Sequence, residues 1–214
     1  PRNNPRRLAS VEPADVGSVD DLDGLTDDLT DDPSEPADQH PLGPLGASLD
    51  HAVDKAWNRL RGNPTLDRVF YTASELGDFS LIWHLLGTAR GVTSRRGSRE
   101  ATRLALALGA ESALVNGVVK SAIRRERPVH DGERPHGLRQ PVTSSFPSGH
   151  ASAAFMAATL LSERSRVKPA WYGLAAIVAA SRIHVRIHHA SDVVVGAGIG
   201  LGLGRVIQKV FPLR

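Results

Sequence analysis

The sequence holds no cysteine, one methionine and only 5% aromatic residues. Without a thiol, disulfides, thiolate metal sites and cysteine nucleophiles are excluded together. Lysine is scarce too. Only Lys55, Lys120, Lys168 and Lys209 stand among 26 basic residues, so arginine carries the positive charge, and arginine is the better fork for phosphate oxygens. Long hydrophobic runs are also missing: the longest charge-free helical stretches, Pro169 to Ser181 and Val193 to Gly204, have 13 and 12 residues. Both fall short of the roughly 20 residues of a simple membrane span. No apolar stretch stands behind basic residues near the first position, so no secretory leader is expected.

What is present divides unevenly. With 41% hydrophobic residues, the 214-residue chain has enough apolar surface for a sizeable core, which excludes full disorder. Residues 1–48 hold 11 acidic and 3 basic residues (net −8), whereas residues 49–214 hold 12 and 23 (net +11), which together give the overall +3. The first part contains Pro33, Pro36, Pro41 and Pro44 and no sustained apolar period, so it is expected to be a disordered acidic tail. A basic body narrows the partners to anions: nucleic acid, phosphate compounds or anionic lipid.

From residue 49 the periods are helical. Leu49, Ala52, Val53, Ala56, Trp57 and Leu60 form a stripe stopped by Gly62-Asn63-Pro64, which suits a helix lying on a core or on a bilayer surface. A mixed segment follows at about 66–89, then a basic turn with Arg90, Arg95, Arg96, Arg99 and Arg103. A long helix over about 100–124 carries Glu111 and Lys120, and residues 125–147 form a polar, Pro-rich loop. Three apolar helices follow over about 148–163, 169–184 and 190–210; the last is rich in glycine, which permits close helix packing. Strand signals are few and no repeat is evident, so the fold class is all-α. Several helices are apolar nearly all round with their polar residues at the ends, which favours a membrane-embedded body.

Three segments place polar residues at the ends of apolar helices. In the first, Lys120 and Arg127 are seven residues apart, two helical turns, and are expected to share a face. In the second, Pro147-Ser148-Gly149-His150 opens an apolar helix, where free N–H groups and the positive dipole end attract an anion beside a histidine. In the third, Arg182 precedes His188 and Asp192, which are four apart, so the carboxylate can hold an imidazole nitrogen. If successive helices alternate direction, all four ends lie on one side. Lys120, Arg127, Ser148, Gly149, His150, Arg182, His188 and Asp192 then form one cluster suited to phosphoryl transfer through a phosphohistidine.

The pattern Lys-x6-Arg-Pro, Pro-Ser-Gly-His and Ser-Arg-x5-His-x3-Asp resembles the type 2 phosphatidic acid phosphatase (PAP2) family, which includes bacterial acid phosphatases and vanadium haloperoxidases. It is most similar to small actinobacterial members, and the resemblance covers about residues 49–211, taking 49–214 as the phosphatase domain. It implies a six-helix bundle with His188 as nucleophile, Asp192 holding it, and His150 protonating the leaving group. Lys120, Arg127, Arg182 and the Ser148 and Gly149 amides would grip phosphate, with no metal or other cofactor. Five residues separate Arg182 from His188, the family spacing, so His189 is read as a neighbouring or substrate-facing residue and His184 as structural.

The expected function is therefore a membrane phosphatase acting on a lipid phosphate or diphosphate: polyprenyl phosphate or diphosphate, a polyprenyl-phosphosugar phosphate, phosphatidate or phosphatidylglycerophosphate. The short 125–147 loop leaves little for headgroup recognition. A soluble acid phosphatase or vanadate-dependent haloperoxidase of the same superfamily is the alternative. A nucleic-acid or anionic-lipid binding protein would instead spread its cations over one face, so nucleic acid is not an expected partner. A silent scaffold would not need intact motifs. The basic turns at Arg90–Arg103 and Arg164–Lys168 would lie opposite the site, which by the positive-inside rule places catalysis outside the cytoplasm of a multi-pass protein in the cell membrane. Arg124, Arg125, Arg134 and Arg139 on the catalytic side count against that orientation.

Overall fold

The structure, a computed structural model, describes residues 40–128, 141 and 143–213. Residues 1–39 of the expected acidic tail, and Arg134 and Arg139 of the polar loop, lie outside the described residues. Among the described residues there are helices and no strand, as the periods predict.

Helix α1 (Gly43–Asn58) starts six residues before the expected boundary at 49. Residues 43–48, counted with the expected disordered tail, are thus helical, and Pro44 sits in the first turn, where its missing N–H costs nothing. The Leu49–Leu60 stripe is only partly covered: Leu49 and Leu60 are exposed, and the buried positions of α1 are Gly46 and Asp50. Asn63 caps α2 (Pro64–Gly77) by accepting from the Thr65 and Leu66 amides, with Pro64 next. The segment at 66–89, read only as mixed from sequence, holds two helices. A turn at Asp78–Ser80, with Phe79 and Ser80 at φ 52° and 58°, separates α2 from α3 (Leu81–Gly91).

Helix α4 (Arg95–Ser112), capped by Ser94, continues through a π-helical stretch, Ala113–Val119, into the short α5 (Lys120–Ala122). The wider turn re-aims everything after it, as such insertions do near functional sites. The chain then becomes extended at Ile123, five residues before Pro128.

Helix α6 (Gly149–Ser162) is the centre of the bundle. Nearly every residue in it is buried, including Ala151, Ala154, Met156, Ala157, Ala158, Leu160 and Leu161. A helix apolar all round needs neighbours all round, and α6 packs on α4, on α7 (Lys168–His184) and on α8 (Ala190–Val210). Glycines of α8 make the closest of these approaches. A Cβ on Gly196 would stand 2.4 Å from the Ser148 carbonyl oxygen, and one on Gly200 would stand 2.1 Å from that of Ser152. Gly198 and Gly202, on the other face, have nothing within 4 Å. Only every second glycine of the stripe, that is every fourth residue, therefore serves packing, which is close to the helical repeat.

Among the described residues, two continuous helices, Arg95–Ala122 and Ala190–Val210, are long and apolar enough to cross a membrane. The first exceeds the expected helix over about 100–124 because it starts five residues earlier, at the Ser94 cap. At the far end of α6 from Ser148, Arg90, Arg96 and Arg164 line one surface pocket, so the two basic turns meet there.

In detergent, Gly200→Ala is expected to destabilise the protein by at least about 2 kcal/mol, the cost of forcing an overpacked contact. Gly202→Ala is expected to be neutral or stabilising by up to about 1 kcal/mol, because alanine favours helix. Thermal unfolding of the two variants side by side checks the assignment of faces.

Candidate active site

The ends of α5, α6, α7 and α8 converge, and the residues singled out from the three segments meet there. Lys120 is buried on α5 and lies within electrostatic reach of Arg127, Arg182, Asp192 and Glu111. It does not share a helical face with Arg127, because the helix stops at Ala122 and Arg127 arrives on extended chain. Arg127 is anchored by the carbonyls of Thr143 (3.0 Å), Ser144 (3.2 Å) and Ile187 (2.8 Å), which leaves its Nη1 3.4 Å from His188 Nε2. Arg182, in the last turn of α7, is buried, donates to Ser74 Oγ and stands 3.8 Å from Asp78 Oδ1.

Ser148 caps α6 with its Oγ, which accepts from the Ala151 amide. Its own N–H donates to the Asp192 carbonyl at 3.0 Å, tying the start of α6 to the start of α8. This corrects the expectation of a Ser148 amide free for phosphate. The first-turn amides left without an intrahelical acceptor are those of Gly149 and His150. Gly149 is closely packed, since a Cβ there would meet Asn116 Oδ1 at 2.8 Å. His150 Nε2–H donates to Asp78 Oδ1, 2.8 Å away, so Nδ1 is the remaining ring nitrogen.

His188 lies in the turn before α8, not on it, yet still reaches Asp192: Nδ1 is 3.5 Å from Oδ2 and 3.4 Å from Ser145 Oγ. Burial, reinforced by the Arg127 and Arg182 charges, pushes the His188 pKa down to about 3, against the opposing pull of Asp192. At neutral pH the imidazole is uncharged, with Nδ1 towards the carboxylate and the Nε2 lone pair towards Arg127.

Asp192 is wholly buried. Its Oδ1 accepts from Arg125 Nη1 at 2.6 Å, and its Oδ2 accepts from Ser145 Oγ at 2.5 Å and the His189 amide at 2.9 Å. That last bond is the backward half of a capping box, which makes His189 the N-cap of α8. His184 pairs with Asp67 at 2.8 Å and stacks on Phe70 at 4.6 Å, in keeping with a structural part. Glu111 is buried on α4, with Ser152 and Lys120 as its neighbours.

Sequence reading missed four residues. Arg125 was one charge among many in Arg124–Arg127, yet it is buried and paired. Ser145 supports both His188 and Asp192. Asp78 meets His150 from a strained turn. Asp50, on α1, accepts from the Ser191 amide and hydroxyl (both 2.7 Å), Arg125 Nη2 (2.8 Å) and His40 Nε2 (2.9 Å). Burial alone would raise the Asp50 pKa, but Arg125, His40 and Ser191 outweigh it and lower it. Likewise burial opposes the Arg125 charge, and Asp192 and Asp50 more than restore it. The run Ser145-Phe146-Pro147-Ser148 was the available signal for Ser145; Asp50 offered none.

A histidine kept neutral in the fold but free to protonate when unfolded binds fewer protons folded than unfolded between pH 6.5 and about 3. Its stabilising contribution is complete above pH 6.5 and is lost as pH falls through that window. On going from pH 7.5 to 4.5 in detergent, the Tm of His188→Asn is therefore expected to fall less than that of the parent; equal slopes would contradict the buried neutral assignment.

The chain is similar to known proteins in sequence and fold. The family model described as the PAP2 superfamily matches residues 100–214. The decaprenylphosphoryl-5-phosphoribose phosphatase of Mycobacterium tuberculosis is 31% identical over 140 residues, 64% of this chain and 76% of that protein. Among solved structures, Aquifex aeolicus LpxE superposes with a TM-score of 0.60 at 28% identity, covering 74% of this chain and 93% of that one. The PAP2-type transmembrane phosphatidylglycerolphosphate phosphatase of Bacillus subtilis superposes at 0.57 and 28% identity, covering 78% and 88%. The motifs, the helical bundle that gathers them and the matched segment agree, and the chain belongs to the PAP2 superfamily.

Proposed function

We propose that this PAP2 member is a membrane-embedded phosphatase that removes phosphate from a lipid carrier, a polyprenyl-phosphosugar phosphate first among the candidates, through phosphohistidine at His188. The observation that carries the reading is the neutral His188 imidazole, with Asp192 on one nitrogen and Arg127 beside the other. In the first step His188 Nε2 attacks phosphorus as the ester or anhydride P–O bond breaks, and His150 gives a proton to the leaving oxygen. In the second, water attacks the phosphohistidine, its proton passes to His150, and the N–P bond breaks to release inorganic phosphate. Asp192 stabilises the ring as it gains positive charge. Lys120, Arg127 and Arg182 neutralise the phosphoryl oxygens, with the Gly149 amide and the Ser148 hydroxyl as further donors. His150 reacts as the imidazolium: Nε2–H stays on Asp78, which with the charge of the bound phosphate favours the protonated ring, and Nδ1–H gives the proton.

The substrate class rests on the mycobacterial relative, and the lipid environment on the outer faces of the long helices. Leu106, Leu114 and Val118 of Arg95–Ala122, and Val194, Val206 and Val210 of α8, are exposed apolar residues that a bilayer would cover. The short α6 lies inside the bundle and need not face lipid. With Arg90, Arg96 and Arg164 at the opposite end from the site, the protein is oriented with the basic end in the cytoplasm and catalysis outside it. The phosphatase unit runs from α1 to the end of the chain.

A phosphate-release screen over lipid phosphates in detergent tests the reading. Parent protein is expected to turn over at least one polyprenyl-linked phosphate, and His188→Ala to lose at least about a thousand-fold while keeping its thermal transition. Turnover retained in His188→Ala would remove the nucleophile assignment. His150→Ala is expected to lose about 100-fold or more with alkyl phosphates and much less with p-nitrophenyl phosphate, whose leaving group needs no proton. Equal losses would argue against a general acid.

A further inference from the structure

We infer that Asp50 and Arg125 are positioning residues of the reaction, through which helix α1 holds Asp192 and, through Asp192, His188. The inference rests on the reading of His188 as phosphate acceptor. Helix α1 lies outside the segment that the PAP2 family model matches, residues 100–214, and none of the three motifs reaches it.

The geometry forms one continuous buried path. Arg125 is shared between two carboxylates. Its Nη2 meets Asp50 Oδ2 at 2.8 Å, and its Nη1 meets Asp192 Oδ1 at 2.6 Å and Ser191 Oγ at 2.8 Å. The Ser191 hydroxyl accepts from Arg125 and passes its own proton to Asp50, so all three side chains lock together. On the far side His40 takes the Leu42 amide on Nδ1, which fixes its tautomer with Nε2–H donating to Asp50. Both oxygens of Asp50 are thereby filled, and α1 has no freedom to slide along α8.

Charge explains why the path matters to chemistry and not to packing alone. One guanidinium between two carboxylates leaves the group one negative charge in excess. As His188 becomes cationic on phosphorylation, that excess lies next to its Nδ1. With Asp50 made neutral, Arg125 would belong to Asp192 alone and offset most of the negative charge that His188 needs. A lysine at 125 keeps the charge but has no planar fork with which to span two carboxylates. A mere tether of α1 would not call for three buried charged groups, which are costly unless mutually satisfied.

The test uses the full chain in detergent micelles with dioctanoyl phosphatidate as probe. Asp50→Asn and Arg125→Lys are each expected to lower kcat by about 10- to 100-fold, the range seen when outer-sphere partners of catalytic groups are lost, with KM and the inhibition constant of inorganic phosphate changed less than about threefold. The double variant is expected to be no worse than the worse single one, because both break the same path. Lys55→Ala, on the exposed side of α1, should match the parent. If parent and His188→Ala release phosphate equally, the underlying reading fails. If the parent is active and His188→Ala is not, then unchanged kcat in Asp50→Asn, a loss confined to KM, or losses that multiply in the double variant overturn the inference while the reading stands. Should Asp50→Asn lose its thermal transition, Asp50→Glu and Arg125→Lys carry the same readout, and parent-like kcat in both overturns it.

Discussion

The structure depends on a single buried carboxylate. Asp192 has no contact with solvent, and an ionised carboxylate can occupy such a place only if every oxygen is satisfied and a counter-ion is near. The chain meets that demand from four directions: Arg125 from the extended stretch after α5, Ser145 from the segment before α6, the His189 amide from the cap of α8, and the His188 ring. Each donor must arrive at the right place, so one charge fixes the relative positions of several helix ends. The candidate cluster is in this sense a consequence of satisfying a buried Asp192 with protein donors.

Packing does the complementary work. Gly196 and Gly200 let the backbone of α8 touch that of α6, and the Ser148 N–H to Asp192 carbonyl bond closes the contact at the candidate-site end. A larger residue at either glycine would push α8 outward and carry Asp192 away from its donors. The stripe of small residues and the acid thus belong to one device. The same tight centre leaves the outward faces of Arg95–Ala122 and α8 apolar, so the bundle is held from inside by polar bonds at one end and by close van der Waals contact along its length.

Much of this was legible in the residues. Helix ends marked by Asn63-Pro64, by Pro147-Ser148 and by Gly62 are local signals, since capping and φ restriction act within a few residues. The Arg182, His188 and Asp192 spacing was legible because a short connection between two helices leaves their ends little choice of position. The seven-residue spacing of Lys120 and Arg127 was legible as a pair but misread as a helical face. Nothing in the composition of Ala113–Val119 announces a π turn, and the helix then ends before Arg127. His189, next to His188 in sequence, became an N-cap because Asp192 needed its amide.

By itself, then, the sequence determined the fold class, the nature of the ligand and the eight candidate residues, because these follow from periods and spacings that act locally. Tertiary structure alone decided which arginine of Arg124–Arg127 serves Asp192, that Asp50 on α1 takes part at all, and that the Ser148 amide is engaged with α8. Asp50 and Arg125 are 75 residues apart in the chain. Their pairing depends on which surfaces the folded helices bury together, and no local pattern encodes that.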